Sequence, residues 1–297
     1  MPKTVLITGA SGKIGRNAAQ SFGAAGWRVK RFQRGTDMTA MAQGVDVIVN
    51  GMNPPNYKNW AKNIPDITRQ HIAAAKASGA RVILPGNVYN YGRDLSGVWD
   101  AATPQQAKTR KGKLRIEAEA AYRTAGVRCL VLRAENFIDP DGDDDPFSMI
   151  HLMRLKKGIF TLPGRAEARQ AWCYLPDWAA AAVQLAELDA EPFMDVPFAG
   201  HTLTGAQMHT AVERFVGPLR TGKFPWGAIR LASPFWGMAR EMLEMQYLWD
   251  LDHSLASARL NELLPDLKQT PIDTVMRRKL IQHLGREVEV NPNQAVA

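Results

Sequence analysis

Cysteine and long apolar runs are both scarce in this sequence, and each scarcity excludes a class of protein. Of the 297 residues only Cys129 and Cys173 are cysteines, and they lack the spacing of a zinc site. A disulfide-stapled secreted domain is thereby excluded, and a reducing cytoplasm is the expected location. No segment reaches the roughly 18 apolar residues of a transmembrane helix, and no signal peptide is expected. We therefore expect a cytoplasmic protein without a membrane partner.

Metal-binding patterns are also missing from the sequence. The 6 histidines show no spacing typical of a metal site. The acidic run Asp141–Asp145 lacks the twelve-residue spacing and the terminal Glu of a calcium-binding EF-hand. We therefore predict no metal site and expect Asp141–Asp145 to form a solvated acidic turn.

Acidic residues are sparse in the first half of the chain. Residues 1–140 carry 21 Lys and Arg against 9 Asp and Glu, whereas residues 141–297 carry 16 against 20. The net charge of +8 is thus the sum of a basic half and a mildly acidic half. A basic half is compatible with nucleic acid or with a polyanionic cofactor. The densest basic run, Lys108–Arg115, contains no aromatic residues for base stacking, which disfavours nucleic acid.

Apolar runs in the first half alternate between strand and helix patterns. The predicted strands are 4–8, 28–32, 45–50, 81–84 and 127–132, and the predicted helices are 13–25, 66–78 and 111–125. Strands that are apolar throughout and separated by helices predict a parallel sheet covered on both faces. The fold class is therefore α/β, a doubly wound Rossmann-type sheet. Between Phe32 and Val45 there is room only for a turn and a short helix, so the strand usual there is expected to be reduced or lost.

The second half predicts a smaller, mostly helical, substrate-binding portion. Its predicted helices are 146–157, 178–189, 205–216, 234–249, 254–264 and 272–284. Asp177 and Thr204 are placed to cap two of them. We expect residues 1–140, completed by 171–200, to bind a dinucleotide. Residues 141–170 and 201–297 are expected to bind the substrate, in a monomer or a homodimer.

A glycine-rich segment joins the first strand to the first helix. Gly9 permits a tight turn, Gly12 lets the backbone approach a pyrophosphate, and Gly15 lets the helix pack closely on the sheet. The free N–H groups at the helix N-terminus attract the phosphates. The segment is not a Walker A loop, because Ile14 follows the lysine instead of Ser or Thr. The predicted cofactor contacts of the segment are Gly9, Ser11, Gly12, Lys13, Ile14 and Gly15.

The end of the second strand chooses the cofactor in such folds. An acidic residue there accepts hydrogen bonds from the ribose 2′-hydroxyl of NAD, whereas a basic residue accommodates the 2′-phosphate of NADP. The segment Lys30–Gly35 is basic, and no acid precedes Asp37. Arg34, supported by Lys13 or Arg31, is the candidate for the 2′-phosphate. NADP is therefore favoured over NAD, with a solvated basic strand end as the alternative.

Several segments resemble the short-chain dehydrogenase/reductase superfamily. The Thr-Gly-x-x-Gly-x-x-Gly motif after the first strand carries the resemblance, and the length suggests the extended or atypical branch, which includes the NAD-dependent epimerase/dehydratase family. Val49–Pro55 resembles the segment beneath the nicotinamide ribose, and Leu84–Gly92 looks like the Ser-x-x-Val-Tyr-Gly strand end. Leu132–Phe137 is similar to the Arg-x-x-Asn segment beside the nicotinamide, and Tyr174–Asp177 to the capping segment that follows. The resemblance covers about residues 1–200 and implies Met52 and Asn136 as cofactor contacts.

The catalytic motif departs from this family. The family uses Tyr-x-x-x-Lys, whose lysine binds the nicotinamide ribose and lowers the pKa of the tyrosine for proton exchange. In the matching segment Lys113 occupies the lysine position, but Thr109 stands at the tyrosine position. Threonine has no titratable hydroxyl comparable to a phenol. Tyr91 or, less favoured, Tyr89 is expected to supply a phenol near Lys113; otherwise the substrate's own acidic group or a water carries the proton.

The resemblance implies an NADP-dependent oxidoreductase or an epimerase/dehydratase. Its partner would be a small hydroxyl or carbonyl compound or a sugar-nucleotide-type substrate, with no nucleic acid. The alternative is a redox-sensing or regulatory protein that binds NADP(H) without chemistry. The missing tyrosine favours the alternative, whereas Lys113 and the two nearby tyrosines favour the enzyme.

Overall fold

The computed structural model describes residues 2–290 of the chain. Its strands are β1 Thr4–Thr8, β2 Arg28–Arg31, β3 Val47–Asn50, β4 Arg81–Gly86, β5 Gly97–Trp99, β6 Cys129–Arg133, β7 Asn136–Ile138, β8 Ile159–Leu162, β9 Arg169–Tyr174, β10 Phe193–Pro197, β11 His201–Thr204, β12 Arg220–Lys223 and β13 His253–Leu255. Its α-helices are α1 Lys13–Ala24, α2 Met38–Met41, α3 Trp60–Ser78, α4 Arg110–Thr124, α5 Leu175–Glu187, α6 Gly205–Val216, α7 Trp226–Ala232, α8 Gly237–Glu244, α9 Ala258–Leu263 and α10 Ile272–Leu284. Within residues 2–290 no helix is long and apolar enough to cross a membrane.

A six-stranded parallel sheet forms the centre of the molecule. The strand order is β10-β6-β4-β3-β1-β2, and each neighbouring pair is parallel. Helices α1 and α5 pack together on one face, and α3 and α4 pack together on the other. The predicted doubly wound Rossmann-type sheet is therefore confirmed. Strand β2 is the edge and only the one-turn helix α2 lies between β2 and β3, so the expected loss of a strand is confirmed as well.

Two helices begin earlier in the chain than predicted, and one predicted helix cap is confirmed. Helix α3 begins at Trp60 and continues through Pro65, which lies inside the helix. An interior proline usually ends or kinks a helix, which is why the sequence predicts a start after it. Helix α5 begins at Leu175, so Asp177 lies inside it and is not its cap. The Asp177 carboxylate instead accepts hydrogen bonds from the backbone N–H and the hydroxyl of Thr270. Thr204 caps α6 in a complete capping box, as the sequence predicts.

The second half contains small sheets in addition to its helices. Strands β11, β9 and β7 form one sheet, β12 pairs with β8, and β13 pairs with β5 from the first half. The helix predicted at 146–157 is instead two short turns, Phe147–His151 and Leu155–Lys157, followed by β8. The helix predicted at 234–249 is divided into α8 and a short 3-10 turn. Strand β10 joins the main sheet, while the predicted domain boundaries stay a prediction, and residues 291–297 lie outside the described part.

The acidic turn after β7 is solvated at Asp141, Asp143 and Asp144, which are exposed as expected, but not at Asp145, which is buried and binds the last helix. The Lys279 ammonium is fully buried and lies 2.6 Å from the buried Asp145 carboxylate. It also donates to the carbonyl oxygen of Asp139, whose own carboxylate pairs with Arg16 of α1 at 2.5 Å. Removing either partner of a buried pair leaves an unpaired charge in a low-dielectric interior. The turn therefore fastens α10 to the glycine-rich end of the sheet.

Candidate functional site

The glycine loop after β1 is packed against the end of β3. Gly9 has φ +61°, and a Cβ there would lie 2.3 Å from the carbonyl oxygen of Gly51. A Cβ on Gly15 would lie 2.3 Å from the carbonyl oxygen of Gly9. Real Cβ atoms do not approach backbone oxygens so closely, so both positions require glycine for the protein's own packing.

Gly12 differs from Gly9 and Gly15 because the space beside its Cα is open. A Cβ there would meet only the carbonyl oxygen of Gly9, at 3.4 Å, and its φ of −79° is available to any residue. It is the N-cap of α1, without a side-chain cap and without an acidic residue in the first turn. The helix therefore presents free N–H groups and its positive end to this open space. A phosphate group fits this cradle.

The remaining loop residues lie around the cradle. Ser11 is exposed and Ile14 is partly buried. The Lys13 ammonium donates to the carboxylate of Asp144 at 2.8 Å and to its carbonyl oxygen at 2.7 Å, so Lys13 is engaged by the acidic turn. Because Asp144 is itself largely exposed, such a pair contributes little stability and can be exchanged for a phosphate.

The turn that follows β2 carries Arg34, whose side chain is exposed. The first acid, Asp37, accepts a hydrogen bond from the N–H of Thr39 and caps α2. Lys30 donates to the carbonyl oxygens of Met41 and Gln43. Arg34 is therefore the basic side chain of this turn that is available to an anionic ligand.

Helix α4 begins directly at the segment that matches the family's catalytic motif. Thr109 is the N-cap, and its hydroxyl accepts a hydrogen bond from the N–H of Gly112 at 3.2 Å. Lys113 is exposed on the outer side of the helix. The first turn receives a second cap from Glu244 of α8, whose carboxylate accepts from the N–H of Lys111 at 2.8 Å. The catalytic roles of Thr109 and Lys113 stay predictions, and the geometry gives Thr109 a capping role.

Replacing Thr109 with alanine is expected to cost about 1 kcal/mol of unfolding free energy, the usual loss for an N-cap hydroxyl. Thr109→Ser keeps the hydroxyl and should retain most of that stability. Urea unfolding followed by circular dichroism measures both variants. Equal stabilities of the alanine and serine variants would contradict the capping role.

Two other side chains of α4 face the ends of the central strands. Lys111 is fully buried, and its ammonium lies 4.0 Å above the ring of Tyr57 and 3.3 Å from the carboxylate of Glu241. Arg115 lies one turn further along, with its guanidinium 4.7 Å over Trp60 and bonded to the Asn53 side chain at 3.2 Å. Burial lowers the pKa of both groups.

Arg115 brings a positive charge to the C-terminal edge of the sheet. Its Nε has no hydrogen-bond partner among the described residues. Two residues along a helix rotate a side chain by about 200°, which separates Arg115 from Lys113. Lys111 and Arg115 are therefore the cations of α4 on this side, whereas Lys113 is exposed on another face and its role stays a prediction.

Tyr89 lies beside Arg115 at the end of β4. Its hydroxyl is 3.4 Å from the hydroxyl of Tyr57, and its backbone N–H donates to the side chain of Asn87. Burial, reinforced by Tyr57, raises the pKa of Tyr89 well above its ordinary value, and the charge of Arg115 opposes that rise. The phenol is therefore protonated at neutral pH.

The loop that carries Tyr57 is unusual in its backbone. Asn56, Tyr57 and Asn59 have φ of 51°, 55° and 52°, in the left-handed region. Non-glycine residues in this region carry strain, and such strain concentrates at ligand-binding and catalytic sites. The loop thereby holds Tyr57 between the Tyr89 hydroxyl and the Lys111 ammonium.

Tyr91, the favoured candidate of the sequence, lies in a packed cluster. It is 1% exposed, its ring is 4.8 Å from that of Trp99, and its hydroxyl donates to the carbonyl oxygen of Asp100 at 3.2 Å. Burial raises its pKa above the ordinary value. The Tyr91 hydroxyl is thus already engaged, which favours Tyr89 as the candidate, while the catalytic role of Tyr91 stays a prediction.

The two remaining predicted contacts lie at the ends of β3 and β6. Met52 is partly buried, and its N–H donates to the side chain of Asn50. Asn136 is partly buried at the start of β7, and its side-chain Nδ2 finds no acceptor among the described residues. An unsatisfied buried amide donor costs free energy, so the Asn136 amide is suited to a ligand acceptor.

Comparison with known proteins gives a match in structure alone. No model of a protein family matches the chain, and no curated protein matches it. MoeE5 in complex with UDP-glucose and NAD is 13% identical, with a TM-score of 0.74 over 95% of this chain and 99% of that one. UDP-glucose 4-epimerase from Brucella ovis in complex with NAD is 16% identical, with a TM-score of 0.73 over 97% and 100%. L-threonine dehydrogenase from Phytophthora infestans is 16% identical, with a TM-score of 0.72 over 95% and 99%.

These structures share the whole architecture with this chain, including the second half. The comparison therefore shows that this chain shares the fold of these structures. Within this fold, the glycine loop lies at the end of β1, and the cluster of Tyr57, Tyr89 and Arg115 lies at the ends of β3 and β4. Because parallel strands end at one edge, both features lie where ligands of doubly wound sheets bind.

Sequence reasoning missed Tyr57, Trp60 and Arg115. Arg115 carries a signal in hindsight, because it lies four residues after Lys111 and so on the same helix face. Tyr57 lies in a loop whose residues of left-handed backbone conformation are not glycines, so no pattern in the sequence predicts this conformation.

Proposed function

We propose that the protein is an NAD(P)-dependent oxidoreductase or epimerase/dehydratase. Its substrate would be a small hydroxyl or carbonyl compound or a sugar-nucleotide-type compound. The observation that carries the proposal is Gly12, which the protein's own packing does not require but which a pyrophosphate at the start of α1 does. Structures of similar fold with NAD and UDP-sugars support it.

The nicotinamide dinucleotide is proposed to be NADP. Two of the structures of similar fold named above, MoeE5 and the Brucella ovis epimerase, contain NAD, which favours NAD over NADP. In this chain, however, Arg34 is exposed beside the strand end, and the first acid after it is engaged in capping α2. An arginine without a competing acid favours a 2′-phosphate. We therefore assign the adenosine end of the cofactor to Arg34.

Arg34→Ala is expected to weaken NADPH binding about tenfold, the loss of one charge-assisted contact. NADH lacks the 2′-phosphate, so its affinity should not change. Fluorescence titration of both nucleotides against the wild type and the variant measures this difference. An equal loss for NADH and NADPH would remove Arg34 from the 2′-phosphate site.

Tyr89 is proposed to exchange the proton of the reaction. A bound nicotinamide dinucleotide supplies or accepts a hydride at carbon. During reduction the Tyr89 phenol would donate its proton to the carbonyl oxygen, and the neighbouring Arg115 would stabilise the phenolate left behind. The Tyr57 hydroxyl, 3.4 Å away and partly exposed, would return a proton from solvent. Lys113 and Tyr91 would then be dispensable for the proton step.

The test of the proposed function has two stages. Titration with NADH and NADPH is expected to show binding by the full chain. Turnover is then measured with the substrates of the similar folds, UDP-glucose, UDP-glucuronic acid and L-threonine. Lack of dinucleotide binding would refute the proposal.

A non-catalytic NADP(H)-binding sensor is the second candidate. It is favoured by Thr109, which stands at the family's tyrosine position and serves as a helix cap. Tight dinucleotide binding without hydride exchange, in either direction and with each substrate class, would favour the sensor over the enzyme.

A further inference from the structure

An apolar tip projects from the second half of the chain. It comprises Leu231, Phe235 and Trp236, in and after α7, which are 81%, 95% and 47% exposed. Large apolar side chains with such exposure are uncommon on a water-soluble surface when they occur together. Adjacent exposed Phe and Trp side chains of this kind are typical of an interaction site.

A small base, formed by Trp226 and Phe224, attaches the tip to the rest of the molecule. Helix α7 has no buried residue of its own. Its first residue, Trp226, donates its indole N–H to the carbonyl oxygen of Pro163 and packs against Phe224 with ring centroids 4.7 Å apart. The apolar side chains beyond this base are thus not needed for the packing of the protein.

The segment that carries the tip is basic. Residues 215–240 contain four basic residues, Arg220, Lys223, Arg230 and Arg240, and no acidic one, although Glu241 follows directly and residues 141–297 as a whole are mildly acidic. Arg230 and Arg240 are exposed and donate to neutral groups, the side chain of Gln246 and the carbonyl oxygen of Ser233. Their charges are therefore not cancelled by these contacts.

We propose that the apolar tip docks on the surface of a lipid bilayer that contains anionic lipids. Trp and Phe insert favourably at the boundary between head groups and acyl chains, and arginines beside them are attracted to anionic head groups. The contact is peripheral and does not require a spanning helix. The expectation of no membrane partner rested on the lack of a spanning run, which does not bear on a surface contact.

A second copy of the chain fits the tip less well. A two-fold contact places the same patch on both subunits. Arg230 and Arg240 would then lie opposite their own copies, and like charges opposed across an interface are unfavourable. A bilayer with negative head groups has the complementary charge.

Vesicle sedimentation with the full-length protein tests this proposal. Vesicles of phosphatidylcholine with about one-third phosphatidylglycerol are compared with pure phosphatidylcholine. The double variant Phe235→Ser/Trp236→Ser removes the apolar tip, and Val98→Ser, at an exposed apolar residue on β5, is the matched control. The double variant Arg220→Gln/Lys223→Gln removes two exposed charges near the base.

The expected result is binding to the anionic vesicles that the tip variant weakens at least about tenfold and the control does not. The charge variant and a rise in salt from about 0.1 to about 0.5 M should both weaken it. The variants replace exposed side chains, so their melting temperatures should match the wild type. Lack of vesicle binding by the wild type, or equal binding by the tip variant, would overturn the proposal. So would a dimer in ultracentrifugation that the tip variant dissolves, which would make the tip a contact between copies.

Discussion

Gly12→Ala is expected to weaken dinucleotide binding about tenfold to a hundredfold while leaving the protein folded. The added methyl group would occupy the open side of the loop, where a pyrophosphate would approach the N–H groups of α1. Losing one hydrogen bond to a charged phosphate costs about 1.5–3 kcal/mol, which corresponds to this range. The backbone itself tolerates alanine, because φ is −79° and the nearest atom is the Gly9 oxygen at 3.4 Å.

Gly15→Ala is the matched comparison in the same loop. Its Cβ would lie 2.3 Å from the carbonyl oxygen of Gly9, so the loop or the helix must shift. We expect a loss of about 1–3 kcal/mol in unfolding free energy, typical of overpacking. Urea unfolding and nucleotide titration on both variants separate the two effects. A stable Gly12→Ala variant with wild-type affinity would refute the cradle, and with it the main support for the proposed function.

The central sheet was predictable because its signal is local. Each strand is a short apolar run, and each helix is periodic and ends at a glycine such as Gly79 or Gly126, both with positive φ. The second half was harder, because strands such as β7 and β13 have only three residues. Such strands exist through pairing with distant segments, β13 with β5 for example, and pairing of this kind leaves no local pattern.

The candidate site was predictable in place but not in detail. The glycine loop and the segment of α4 were both recognised, since they lie at predicted junctions of strand and helix. Which basic side chains of α4 face the sheet edge, Lys111 and Arg115 or Lys113, depends on where α4 begins and how it is rotated. A difference of two residues places a side chain on nearly the opposite face, and sequence patterns do not fix helix rotation so finely.

A buried ionic network connects Tyr89 to the sheet. The Arg133 guanidinium, fully buried at the end of β6, lies 2.7 Å from the Glu119 carboxylate of α4 and 2.5 Å from that of Asp195. Although burial opposes its charge, these carboxylates hold the pKa of Arg133 above its usual value. Arg133 also donates to the carbonyl oxygen of Asn87, whose side chain accepts from the N–H of Tyr89. The network therefore fixes α4 and the Tyr89 loop relative to each other, which preorganised proton transfer requires.

Tyr89→Phe is expected to lower turnover about 10²–10⁴-fold, the usual contribution of a general acid. The variant removes only the hydroxyl, so the ring still packs between its neighbours and dinucleotide affinity should be retained. The expectation depends on two contacts of Tyr89. Arg115 would stabilise the phenolate that remains after proton donation, and the bond to Tyr57 would connect the phenol to solvent. The rate of hydride transfer at saturating substrate, with the substrate that shows turnover, is the quantity to measure.

Tyr91→Phe is the matched control, since it removes a phenol two residues away. Within residues 2–290 its hydroxyl donates only to the carbonyl oxygen of Asp100, so we expect a loss of about 1 kcal/mol in stability and near-normal turnover. If Tyr91→Phe instead abolished turnover and Tyr89→Phe retained it, the proton would come from Tyr91, as the sequence suggested. If both variants turned over normally, the proton would come from the substrate or a water. The Tyr57–Tyr89 pair would then be structural.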